Sequence, residues 1–140
     1  MLSKSIVLYT MTFILAWLLI PTVQGQKSKN IDTVQNIYDA FQKSNATSKD
    51  IKSLTPSLNW EEVKSTKEVN ERYNITLSAI LKNEWRGVTF QNIEVREIEE
   101  NKVLVTGTVS GRQPTECEGI TTAFQHLWTF KDGRIIHVTE

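Results

Sequence analysis

Residues 119–140 read GITTAFQHLWTFKDGRIIHVTE, and their alternation decides the fold. From position 120 one parity carries Ile120, Thr122, Phe124, His126, Trp128 and Phe130; the other carries Thr121, Ala123, Gln125, Leu127 and Thr129. A strand sends successive side chains to opposite faces, so one face is aromatic with a single histidine set in it. Lys131-Asp132-Gly133-Arg134 supplies the Asp-Gly signal of a tight hairpin, and residues 135–139 form the returning strand.

The two-residue period continues upstream. Val103, Val105, Gly107 and Val109 alternate with Leu104, Thr106 and Thr108, behind a polar turn at Glu99-Glu100-Asn101-Lys102. Val88-Thr89-Phe90 alternates, Asn92 interrupts, and Ile93-Glu94-Val95 resumes in the opposite phase, which predicts a β-bulge or a bend in a long strand. Before Gly87 the period is helical. Ile31, Val34, Ile37, Tyr38 and Phe41 recur at three- and four-residue steps and predict an amphipathic helix ending near Lys43, with Ser28, Asn30 and Asp32 as capping or first-turn residues. Ser48 caps a short second helix, and Leu58-Asn59-Trp60 reads as a brief strand or extended turn. Val69, Tyr73, Leu77, Ile80 and Leu81 share a stripe that Trp85 continues, which predicts a third helix that starts at Thr66 and is ended by residues 83–87. Helices first and strands after them give an α+β domain: three N-terminal helices against one face of a four-strand antiparallel meander, plus the short strand.

The domain is expected to occupy residues 26–140. Lys4 is the only charge before residue 27, residues 5–20 are almost wholly apolar, and Pro21 and Val23-Gln24-Gly25 follow. That order is a secretory signal peptide over residues 1–25, its apolar run of about 16 residues being shorter than the roughly 20 of a spanning helix. The expected location is therefore outside the cytoplasm, periplasmic or extracellular, with no membrane association after cleavage. Without Lys4, 15 basic side chains stand against 16 acidic ones, which gives no electrostatic footprint for nucleic acid. Cys117 is the only cysteine, so no intrachain disulfide forms and packing must hold the fold. No ligand-spaced cluster of His, Cys and carboxylates predicts a metal. No phosphate loop is present either, and no cofactor is expected.

This layout resembles the NTF2-like superfamily and its SnoaL-like branch. The resemblance is carried by residues 34–41, by Leu58-Asn59-Trp60, by residues 69–81, by Val103-Leu104-Val105-Thr106-Gly107, and most specifically by His126-Leu127-Trp128-Thr129-Phe130-Lys131-Asp132-Gly133-Arg134-Ile135. It covers essentially all of residues 30–140. It implies a cone in which a curved sheet wraps a pocket closed by the helices, with dimers through the outer sheet face. The superfamily holds cyclases, isomerases, dehydratases and epoxide hydrolases beside non-catalytic binding modules, so the fold alone supplies no reaction. The cyclases often continue past the last strand toward an acidic residue that lines the pocket. Here the sequence runs only to Glu140, which counts against their chemistry.

His126 is the candidate site residue. An imidazole on the inner sheet face suits proton transfer, and Tyr38, Trp60, Phe124 and Trp128 are the expected pocket wall. The competing reading is a core histidine hydrogen-bonded to Tyr38. Acid–base work needs a second polar group, for which Asp39 is the first candidate; Glu61, Glu62 and Arg112 read more simply as solvated residues. Three functions follow from these residues. The leading one is binding of a small, largely apolar molecule in an aromatic-lined pocket. The others are an isomerase, cyclase or dehydratase using His126, and a dimeric interaction module.

Overall fold

The computed structural model describes residues 28–43, 47–63 and 74–140. The expected signal peptide lies outside them, as does most of the stripe from Val69 to Tyr73. Among the described residues no helix is long and apolar enough to cross a membrane.

Helix α1 spans Lys29–Gln42, capped by the Ser28 side chain, which accepts from Asn30 N. Its apolar stripe buries Val34, Ile37 and Tyr38, as the three- and four-residue spacing requires. Helix α2 spans Ser48–Leu54, and its cap is Thr47 rather than Ser48. Thr47 Oγ1 accepts from Asp50 N while the Asp50 carboxylate accepts from Thr47 N, so two end donors are satisfied reciprocally. Leu58-Asn59-Trp60 forms no strand: the Asn59 side chain accepts from Glu61 N and starts a 3-10 turn over Trp60–Glu62. The third helix, α3, is shorter at its start than the stripe predicted, covering Leu77–Leu81. Thr76 is extended (ψ 155°) and accepts from Ala79 N, so it begins the helix and leaves Asn74 and Ile75 outside it.

The sheet has four antiparallel strands in chain order: β1 (Arg86–Glu99), β2 (Lys102–Arg112), β3 (Ile120–Lys131) and β4 (Arg134–Thr139). The helices lie against one face of this curved sheet, and the core between them gathers Val34, Ile37, Phe90, Val105, Phe124 and Trp128. A fully buried side chain of this size contributes about 1.5–3 kcal/mol. The phase slip at Asn92 is a bulge. Gln91 pairs with Thr108 and Glu94 with Thr106, so two residues oppose Gly107, and Asn92 takes φ +53°. The strand comes so close here that a Cβ on Gly107 would stand 2.8 Å from the Gln91 carbonyl oxygen and 2.9 Å from the Phe124 ring. The β3–β4 turn has Asp132 and Gly133 both at positive φ (51° and 76°), the mirror-image turn that Asp-Gly favours.

One irregularity in β4 matters for the site. Lys131 pairs with Arg134 and Phe130 with Ile135, but Thr129 pairs with His137, so Ile136 is an extra residue. Ile135 and Val138 therefore face the core, while Ile136 is 42% exposed and His137 is exposed on this outer strand.

Candidate functional site

His126 is 2% exposed on the inner face of β3, between Phe124 and Trp128. Its Nδ1 stands 2.5 Å from Tyr38 Oη, and Trp128 Nε1 donates to the same phenolic oxygen at 3.1 Å. A phenol has one proton to give. With the oxygen accepting from Trp128, all three groups are satisfied when Tyr38 donates to Nδ1, and the hydrogen bonds assign the tautomer on that basis. The neutral imidazole then carries its proton on Nε2. That nitrogen faces Glu140 Oε1 at 3.5 Å, longer than a well-formed hydrogen bond.

Glu140, which the sequence reading did not name among the candidate site residues, faces His126. Its side chain is 5% exposed, and Oε1 accepts from Leu77 N at the start of α3 at 2.5 Å. Burial pushes its carboxyl up from 4.5 to about 7, and the backbone N–H groups of Leu77 and Ser78 pull part of the way back. The Tyr38 phenol is raised well above its ordinary value, first by burial; the Trp128 hydrogen bond lowers it and the charge of Glu140 raises it further. A phenol, an imidazole and a half-ionised carboxyl thus form one buried line. It can store and hand on a proton near neutral pH.

Three solved structures overlay on this fold. TerC, co-crystallised with polyporic acid, matches with 20% identity and a TM-score of 0.56, over 80% of this chain and 89% of its own. An NTF2-like protein from Burkholderia pseudomallei matches with 20% identity and a TM-score of 0.57, over 81% and 89%. A candidate polyketide cyclase from Xanthomonas campestris matches with 19% identity and a TM-score of 0.53, over 79% and 87%. The fold is NTF2-like. No protein-family model and no curated protein matches the sequence.

The interior of this NTF2-like domain brings Tyr38, Phe124, His126 and Trp128 together. The Tyr38 and Phe124 rings stack at 6.0 Å, and Phe124 lies 4.5 Å from the His126 ring. Trp60 is half-buried at the margin, edge-on to Trp128 at 6.4 Å, with Nε1 donating to Thr55 Oγ1. Asp39 does not join them. It is exposed, because successive helix positions turn by about 100° and Tyr38 takes the inward one. Glu61 and Glu62 are exposed as well. Among the described residues the clustered rings pack directly on one another. They are themselves the core, and beside His126 and Glu140 the described residues leave a recess of about 10 Å³. That is room for about one water.

A larger space lies one ring away. Phe41, Ile80, Leu81, Trp85 and Val88 line a cleft of about 520 Å³ that also takes in Lys43 and Thr47. The Phe41 ring is 6.4 Å from Tyr38 and 5.7 Å from Phe90, which stands edge-on to Tyr38 at 5.3 Å.

The raised carboxyl fixes a pH dependence. The folded state keeps the Glu140 proton to about 7, whereas an unfolded carboxyl loses it near 4.5, so folding is favoured below the lower value. This contribution is full below about 4.5 and disappears as pH rises through about 7, a loss of roughly 3 kcal/mol. Urea unfolding of the parent and of Glu140→Gln between those limits measures it. The stability difference between them should shift in favour of the variant as pH rises, and a flat difference would show Glu140 titrating normally.

Proposed function

We propose that the domain binds a small, largely apolar molecule in the cleft beside Phe41. The cleft carries this reading. Its volume of about 520 Å³ falls in the usual range for small-molecule sites, about 300–1,000 Å³; Phe41, Ile80, Leu81, Trp85 and Val88 suit a flat or chain-like body, and Gln42, Lys43, Thr47, Ser48, Asn83 and Thr89 offer it polar partners. TerC, which shares the fold, was crystallised with polyporic acid, and that supports a small-molecule role. Polyporic acid is therefore the first compound to test, followed by small aromatic and lipid-like molecules in a thermal-shift screen. A true ligand at a hundred times its dissociation constant stabilises by about 2.7 kcal/mol, a shift of several degrees. Phe41→Ala should lose most of that shift while its circular dichroism stays that of the parent. An absence of hits, together with a dimeric mass in solution, would move the function to an interaction module working through the outer sheet face.

A second reading is favoured by one observation, the Glu140 carboxyl raised to about 7 beside His126 Nε2. An acid–base pair balanced near neutrality suits proton removal next to a carbonyl, the step shared by isomerases, cyclases and dehydratases. Proton NMR in deuterated buffer, with a ketone already shown to bind, reads it directly. Exchange at the carbon next to the carbonyl should occur with the parent and vanish in Glu140→Gln and His126→Ala. A bound ketone that does not exchange leaves the domain a binding protein.

The same proposal includes export. The charge, apolar run and small-residue exit of residues 1–25 support removal of that segment after Gly25. Intact mass of the protein recovered outside the cytoplasm should begin at Gln26, and recovery of an uncut chain from the membrane fraction would contradict it.

A further inference from the structure

We propose that the paired ends of β1 and β2 form an oxyanion site for a phosphate-type group, separate from the cleft and from the His126 line. Arg86 and Arg112 are directly opposite each other in the sheet register. Like charges in that relation destabilise a strand pair, so the position needs a reason. No neighbouring acid supplies one: among the described residues neither guanidinium has a carboxylate within ion-pair distance. Glu116 offers Arg112 only its backbone carbonyl, to which Nη1 donates at 2.8 Å.

The two arginines line one depression of about 370 Å³, together with Ser110, Thr121, Gly111 and Gly119. Ser110 Oγ and Thr121 Oγ1 are 2.8 Å apart, so one hydroxyl proton lies between them and the other is left to donate. Gly87 completes the wall at φ +61°, and a side chain there would meet nothing within 4 Å, which leaves that approach open. The lining therefore offers two cationic forks and a hydroxyl, with no acidic side chain. A guanidinium fork matches two oxygens of a tetrahedral oxyanion. A phosphate near its second ionisation carries up to two negative charges, which balances the two arginines; a carboxylate carries one. The chain as a whole has 16 basic and 16 acidic side chains, so the fit is to a single phosphate group rather than to a polyanion.

The test uses inorganic phosphate on the whole domain, with acetate at the same ionic strength as the comparison. Phosphate should raise the melting temperature of the parent and acetate should not. Arg86→Gln and Arg112→Lys should each weaken phosphate binding by calorimetry about ten-fold or more, the second because it keeps the charge but loses the fork. In phosphate-free buffer at low salt, Arg86→Gln should melt no lower than the parent, since the repulsion is gone; this separates loss of the site from loss of the fold. Equal stabilisation by acetate would overturn the proposal, as would phosphate binding undiminished in both variants.

Discussion

The phenolic oxygen of Tyr38 joins helix and sheet. It meets His126 Nδ1 and accepts from Trp128 Nε1, so one atom on α1 satisfies two polar groups on β3. Both partners sit on side chains at most 2% exposed, where water cannot replace the bond. Without that oxygen each would be a buried unsatisfied group, costing about 1–3 kcal/mol. The bond also sets the position of α1 over the sheet. With Tyr38 held, the stripe that includes Val34 and Ile37 faces the sheet, and Phe41 is brought against Phe90. Holding Nδ1 as an acceptor directs the Nε2 proton toward Glu140. The contact that secures the core therefore also orients the only buried histidine of the described residues.

Glu140 shows two demands in competition. Its backbone hydrogen bonds at the start of α3 favour the charged form, as a helix N-terminus does. Burial disfavours that form, and burial wins, which leaves the carboxyl near neutrality. Beside it, the buried Ser78 hydroxyl oxygen has no hydrogen-bond partner among the described residues, although the Ser78 backbone N–H serves Glu140. A core selected only for stability would have satisfied that hydroxyl or replaced the carboxyl with an apolar side chain.

Much of this was legible in the residues. The alternation around His126 gave the inner sheet face, Asp132-Gly133 gave the turn, and the slip at Asn92 gave the bulge. Each is a local rule with a fixed period. Glu140 was not legible, because its orientation depends on a single extra residue. In a regular hairpin across Asp132-Gly133, position 140 would fall opposite Gln125 and face outward. The bulge at Ile136 shifts the register by one, so that Thr139 lies opposite Leu127 and the next residue comes level with His126. Nothing in Ile135-Ile136-His137 announces that shift. Asp39 failed as a site residue for the converse reason: adjacency to Tyr38 in sequence means divergence on a helix. The stripe reaching back from Leu77 misled at Thr76, whose hydroxyl competes for a backbone N–H and starts the helix there.

The expected cone was right as architecture, and how much of its interior stays open is a separate question. A curved sheet and a helix enclose an interior, but side-chain volume decides whether any of it remains open. Among the described residues Tyr38, Phe90, Phe124 and Trp128 pack against one another, with rings 5.3 to 6.1 Å apart, and a cleft of about 520 Å³ lies beside Phe41. The rings of Tyr38 and Phe90 stand between the cleft and the His126–Glu140 pair. A ligand in the cleft is therefore separated from His126 by aromatic side chains, and direct chemistry on it requires those rings to move. Binding in the cleft asks for no rearrangement of the described rings, whereas proton transfer by the buried pair to a molecule held there does.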